Sequence, residues 1–214
     1  MSDLLYVVGS PRKEKSESSA IADAYVAEFR DARLNAVVDV LDLWSEGLPA
    51  FDGDQAAAKM TAFSGQQLEG VEASAWEAVT AAFERFSSAD SYLFTVPMWN
   101  GGIPWMLKLY IDILTQPGMV FGFDPSSGYS PLLRNKAATV IYTSGVYSPG
   151  APKRFGTDFH SSYFTDWLQF IGVTDIEEIR FQPTVLTAAP DEARQAAHQR
   201  ARDLANSTRV SRVA

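Results

Sequence analysis

The sequence predicts an α/β fold, a parallel sheet held between two layers of helices. Three observations point there. Five short apolar runs of strand length alternate with segments of helical periodicity. The first, third and fourth runs are nearly continuous in apolar residues, as strands covered on both faces require. The loops at their carboxyl ends hold clustered glycine, proline and serine, and open α/β sheets place their ligands there.

Each element follows from its residues. Residues 4–8 (Leu-Leu-Tyr-Val-Val) form the first strand and Gly9-Ser10-Pro11 breaks it. Next comes a segment of charges and hydroxyls, 12–19. It leads into a helix whose face is Ile21, Ala22, Tyr25, Val26 and Phe29, with Ser16 or Ser18 as its cap. A helix start ringed by serines is a ready phosphate cradle, although a plain capped helix behind a solvated basic loop explains the same residues. Residues 36–43 read as a second strand, and 44–54 as a turn-rich connection. Residues 55–59 and 68–86 read as helices, the latter burying Trp76, Val79, Phe83 and Phe86. The third strand, 91–94, runs into Thr95-Val96-Pro97-Met98-Trp99-Asn100-Gly101-Gly102-Ile103-Pro104.

That loop is the chemically distinctive stretch. Its thioether, indole and amide beside two glycines suit a planar heteroaromatic ligand with polar edges, such as a flavin. A strand-to-helix turn around a core Trp explains it equally well. The helix that follows, 103–115, is apolar nearly all round, with Pro104 in its first turn and only Lys108 and Asp112 polar. Such a helix needs cover on every side, which predicts a symmetric dimer. Residues 119–131 read as a short excursion with a loop or a surface hairpin. The fourth strand, 136–142, ends in Thr143-Ser144-Gly145, and 146–157 is an irregular, lid-like segment. A helix over 158–171 presents Phe159, Tyr163, Phe164, Trp167, Phe170 and Ile171, and stops at Gly172. A strand at 176–181 and a polar helix at 191–206 complete the chain. Right-handed crossovers make this order a flavodoxin-like three-layer sandwich with a five-stranded parallel sheet.

At 214 residues the chain is expected to be a single domain over 1–214, with a frayed tail from 206. A content of 46% apolar and 21% charged residues is that of a globular protein. The net charge of −8 argues against a nucleic-acid surface and against adhesion to anionic membranes. No apolar run is long enough to span a bilayer. Residues 4–8 are too short for a signal-peptide core, so a cytoplasmic location is expected. Without cysteine there is no thiolate nucleophile and no cysteine-ligated cluster. Redox chemistry would therefore fall to a bound organic cofactor or a metal without sulfur ligands. His160 and His198 have no partner at metal-ligand spacing, so no metal site is expected. A Ser144–His160–Asp158 hydrolase fails because Asp158 and His160 lie too close along the chain and Gly-x-Ser-x-Gly is absent. The first loop is neither a P-loop nor Gly-x-Gly-x-x-Gly.

Taken together, three carboxyl-end loops resemble those of the FMN-dependent NADH:quinone oxidoreductases known as azoreductases. The specific pieces are Pro97-Met98-Trp99-Asn100 and Leu107-Lys108-Leu109-Tyr110-Ile111-Asp112. Ser10 with Ser16-Glu17-Ser18, Thr143-Ser144, and Phe170-Ile171-Gly172-Val173-Thr174-Asp175 support them. The resemblance implies that Ser10, Ser16, Glu17 and Ser18 hold the FMN phosphate. It implies that Pro97, Met98, Trp99, Asn100 and Gly101 run along the isoalloxazine, and that Ser144, Gly145, Val146 and Tyr147 meet its other edge. Phe123 and Phe170 take substrate-binding positions, Phe170 by reaching into the pocket of a second subunit. NADH or NADPH would donate hydride, and quinones, azo compounds or a related small aromatic acceptor would take the electrons in a ping-pong cycle. No side-chain nucleophile is required; water or the Tyr147 hydroxyl would supply a proton. The chain departs from the family pattern in three places. Gly101 replaces an aromatic residue, Gly145-Val146-Tyr147 replaces Arg-Gly-Gly, and Phe121-Gly122-Phe123 replaces Phe-x-Tyr. These predict an open flavin face and an acceptor of larger or different shape. Competing readings are a flavin reductase serving a monooxygenase, a flavodoxin-like electron carrier, and a binding protein without cofactor.

Overall fold

The structure is a computed structural model, and it describes residues 2–208. Five parallel strands lie in the order β2-β1-β3-β6-β7. They are β1 (Leu4–Val8), β2 (Val38–Asp42), β3 (Ser91–Pro97), β6 (Ala137–Thr143) and β7 (Asp175–Phe181). A separate antiparallel hairpin of β4 (Phe121–Asp124) and β5 (Gly128–Pro131) fills the excursion after the third sheet strand. The helices are α1 (Glu17–Ala32), α2 (Gly53–Phe63), α3 (Gly70–Ser87), α4 (Trp105–Leu114), α5 (Ser161–Ile171) and α6 (Pro190–Ser207).

Alternation along the strands builds the two halves of the core. Leu4 and Tyr6 of β1 and Leu93 of β3 turn to one face, where Ile21, Tyr25 and Phe29 of α1 and Ala201 and Leu204 of α6 cover them. Leu5, Val7, Tyr92, Phe94 and Val96 turn to the other face, against Phe86 of α3, Leu107 and Tyr110 of α4 and Phe164 and Trp167 of α5. Each large side chain buried this way contributes about 1.5–3 kcal/mol. The chain steps from β1 outward to β2 and then returns past β1 to β3. The carboxyl ends of β1 and β3 therefore flank the topological switch point, where a crevice must open.

Several expectations are corrected. The third strand continues through Thr95, Val96 and Pro97, so the distinctive loop begins at Met98. In-register pairing with β6 through Pro97↔Thr143 extends it. Pro104 is the N-cap of α4 rather than a first-turn residue. Most of the apolar circumference of α4 is spent inside its own chain: Met106, Leu107, Tyr110, Ile111, Ile113 and Leu114 are all buried. Trp105 alone is strongly exposed, at 59%. The second helical segment is longer than 55–59, because Asp52 and Gln55 form a capping box that starts α2 early. Helix α5 starts at Ser161, not 158, because the Asp158 carboxylate accepts from the backbone N–H groups of His160 and Ser161 and ends the loop there. Its buried face uses Leu168, while Phe159 and Tyr163 point outward. Gly172 stops it in the left-handed region, at φ 104°. Helix α6 runs through Asn206 and Ser207, at the start of the expected tail; residues 209–214 lie outside the described residues. No helix among the described residues is long and apolar enough to cross a membrane.

Candidate active site

The crevice at the switch point is built from four loops. The first leaves β1 at Gly9. Its N–H donates to Thr95 Oγ1 at 3.0 Å, and a Cβ there would stand 2.3 Å from the Thr95 carbonyl oxygen. Only glycine permits that approach. Ser10 follows, buried, and its Oγ accepts from the Arg12 N–H at 3.4 Å. Lys13 turns away to Asp42 and Ser45, which leaves Arg12 as the cation on the crevice. Ser16 caps α1 by accepting from the Ser19 N–H at 3.2 Å, and its Oγ lies 3.1 Å from that of Ser18. The N–H groups of the first helical turn, including those of Glu17 and Ser18, have no intrahelical acceptor. The buried hydroxyls of Ser10 and Ser16, backed by that of Ser18, thus meet free helix N–H groups and Arg12 at one end of the crevice.

The second loop forms the wall. The Met98 N–H donates to the Thr143 carbonyl at 2.8 Å, which ties the loop to β6. Trp99 and Gly102 exchange N–H···O bonds of 2.8 and 2.9 Å across Asn100 and Gly101. Both central residues have positive φ, 51° and 84°, so Asn-Gly here makes a two-residue turn of the mirror-image kind. The Trp44 ring sits 5.6 Å from both Trp99 and Trp105, and its Nε1–H donates to the Gly9 carbonyl at 3.1 Å. Trp44 therefore braces the first and second loops at once. Gly101 lies close to the segment before α5. A Cβ there would meet the Thr157 carbonyl at 3.3 Å and the Phe159 ring at 3.8 Å, and the Gly101 carbonyl accepts from the Phe159 N–H at 3.0 Å. Residues 157 and 159 thus pack against the turn at Gly101.

The third loop is Ser144 to Tyr147, folded back by a Ser144 Oγ–H bond to the Tyr147 carbonyl at 2.5 Å. A fourth loop, after β7, supports it. The Thr184 N–H donates to Ser144 at 2.8 Å and the Val185 N–H to Gly145 at 2.9 Å. The Tyr147 hydroxyl reaches Asp158 Oδ2 at 3.5 Å. Partial burial and the Asp158 charge both raise its pKa, so the phenol is a weaker acid than usual. Burial pushes the Asp158 carboxyl up, but hydrogen bonds from Ser161 and His160 outweigh it and hold the group below its ordinary range. His160 is fully buried. Its Nε2–H donates to the Val96 carbonyl at 2.6 Å, and its ring meets Tyr142 at 4.8 Å. Burial drives its pKa down to about 4, so it is a neutral structural residue. No cluster of three metal-ligating side chains occurs among the described residues.

The crevice itself encloses about 210 Å³. Ser10, Arg12, Ser16 and Glu17 line one end, Pro97, Met98 and Trp99 one wall, and Thr143, Ser144, Gly145, Thr184 and Val185 the opposite edge. Ser18 lies buried behind Ser16. Asn100, Gly101, Val146 and Tyr147 stand outside the lining, as do Phe123 and Phe170. Phe170 packs instead on the hairpin, 5.3 Å from the Phe121 ring and 5.5 Å from Tyr129, and Phe123 lies 5.0 Å from Tyr129. Arg12, Trp44, Thr184 and Val185 were not singled out in the sequence. The first two lie in segments that read as solvated loops. The last two follow the fifth strand, whose carboxyl end borders the crevice by topology alone.

The residues present fit a flavin mononucleotide. One end offers hydroxyls, N–H groups and a cation to a phosphate, and the middle offers a flat wall of Pro97, Met98 and Trp99. The chain matches a family model described as "Flavodoxin-like fold" over residues 2–205. It is 56% identical, over 94% of its length and 97% of the relative, to an FMN-dependent NADH:quinone oxidoreductase of Ruegeria pomeroyi. The chain belongs to the FMN-dependent NADH:quinone oxidoreductase family. A relative of the same name from Desulfotalea psychrophila is 43% identical over 90% of each chain. Among solved structures, an azoreductase from Bacillus anthracis superposes with a TM-score of 0.89 at 27% identity, covering 97% of this chain and 100% of that one. The flavodoxin-like fold read from the order of strands and helices is thereby established.

Proposed function

We propose that the protein is an FMN-dependent oxidoreductase that carries electrons from NADH or NADPH to quinones, azo compounds or a related aromatic acceptor. One observation carries the reading. The serine-lined start of α1 and the Pro97-Met98-Trp99 wall converge on the switch-point crevice, in a chain 56% identical to an NADH:quinone oxidoreductase. Bound FMN supplies the hydride-accepting and hydride-donating chemistry. The chain's own residues do the rest. Ser10, Ser16, Ser18 and the backbone of Glu17 hold the phosphate. Pro97, Met98 and Trp99 present a dry stacking surface, with Asn100 and Gly101 setting the turn that aims it. Ser144 and Gly145 border the other edge, Val146 and Tyr147 follow them just outside it, and Tyr147 or water delivers the proton. The flavin-reductase and electron-carrier readings are not favoured, since the relatives at 56% and 43% identity are named for quinone, not free flavin, as the acceptor of NADH electrons.

The working unit is a homodimer of single-domain chains in the cytoplasm. An apolar groove of about 510 Å³ between α4 and α5 supports the dimer, lined by Ile103, Trp105, Leu109, Phe159 and Tyr163. Trp105 and Phe159 are 59% and 65% exposed, more apolar surface than two neighbouring aromatics commonly leave in water. Phe123 and Phe170 stand off the crevice of their own chain, so a substrate role for them is exercised on a second copy. Steady-state kinetics with NADH and a small quinone test the activity. Parallel double-reciprocal lines are expected; intersecting lines, or no turnover by the FMN-loaded protein, would count against it.

A further inference from the structure

Glu17, an acidic residue, belongs to the same end of the crevice as Ser10, Arg12 and Ser16. That position is awkward for an anion site, because a phosphate monoester carries about −1.5 to −2 charges at neutral pH. The chain answers from 177 residues away. Arg194 of α6 meets both carboxylate oxygens, Nε to Oε2 at 3.0 Å and an Nη to Oε1 at 2.9 Å. This is the two-pronged geometry that a guanidinium makes and an ammonium cannot. Arg194 is itself held in place, by Asp191 Oδ1 at 2.7 Å and over the Phe181 ring at 5.5 Å. The guanidinium keeps the Glu17 carboxyl below its ordinary range, so the pair is an ion pair at neutral pH.

We propose that Arg194 is a positioning residue for the flavin phosphate: it takes up the charge of Glu17 so that the anion can sit beside that side chain. The inference rests on the FMN-binding reading above. Glu17 then contributes its backbone N–H at the helix start while its carboxylate is turned to α6 and neutralised. Solvent screens the pair, since both side chains are about one-third exposed, 32% and 37%, but does not erase it. A purely structural role, clamping α1 to α6, predicts different behaviour.

The test is titration of the apoprotein with FMN, followed by quenching of flavin fluorescence, for the wild type, Arg194→Gln, Glu17→Gln and the double variant. Arg194→Gln should weaken FMN by about tenfold, the scale of one uncompensated charge beside a dianion. Adding Glu17→Gln should restore affinity to within about twofold of wild type, because the carboxylate at the start of α1 is gone and Asp191, which also loses its partner, is 85% exposed to solvent. Riboflavin, which lacks the phosphate, should bind Arg194→Gln as it binds the wild type. The inference is overturned if Arg194→Gln binds FMN normally, if the double variant stays as weak as Arg194→Gln, or if riboflavin and FMN weaken equally. A wild-type protein that takes up no FMN would sink the FMN reading itself, a result distinct from all three.

Discussion

Acid should weaken the fold through His160, and the size of the effect can be worked out. The ring is fully buried, and burial pushes its pKa from 6.5 to about 4. In the unfolded chain it titrates at its ordinary value. Between those limits the unfolded state holds a proton that the folded state does not, so stability falls as pH falls from about 6.5 to about 4. The full span corresponds to about 3 kcal/mol. Going only from about pH 7.5 to about pH 5.5 accounts for about 1 kcal/mol. The assay is urea unfolding followed by tryptophan fluorescence at those two pH values, for the wild type and His160→Gln. The amide keeps a donor for the Val96 carbonyl, now bonded at 2.6 Å, but cannot titrate. Asp158, Arg180 and Tyr142 surround the ring and are unchanged in both proteins. The wild type should lose about 1 kcal/mol more than the variant across this interval. Equal losses would refute the assignment of His160 as a buried neutral group.

Two further perturbations test the site and the surface. Gly9→Ala forces a Cβ to within 2.3 Å of the Thr95 carbonyl, so β1 and β3 must separate at the crevice. It should cost about 1–3 kcal/mol in urea unfolding and also weaken FMN, since Ser10 and Met98 ride on those strands. Trp105→Glu puts a charge on the exposed groove beside Phe159, where folding tolerates it but a dimer does not. Sedimentation at micromolar concentration should move from dimer to monomer while the far-ultraviolet spectrum is unchanged.

Local pattern carried much of this fold to the reader of the sequence. The apolar runs at β1, β3 and β6 and the capped helix after Ser16 are short-range features, and residues within a few positions decide them. The alternation of strands and helices with right-handed crossovers favoured the flavodoxin-like sheet. Boundaries moved where a distant partner intervened. Pairing with β6 lengthened β3 to Pro97, and the Asp158 carboxylate delayed α5 to Ser161. The outward turn of Phe159 and Tyr163 could not be read from helical spacing, because the helix had not yet begun at Phe159. The site was half legible. Its serines and the Pro97-Met98-Trp99 wall are contiguous motifs, whereas the Trp44 brace, the Thr184–Val185 edge and the Arg194–Glu17 pair join residues far apart in the chain. The contact of residues 157 and 159 with the turn at Gly101 likewise joins residues far apart in the chain.

Anaerobic titration of the FMN-loaded protein with NADH, followed by visible absorbance, tests the proposed activity most directly. Bleaching of one flavin per chain, reversed on adding a quinone, is the expected result. Flavin that is bound but bleached by neither NADH nor NADPH would contradict the oxidoreductase assignment.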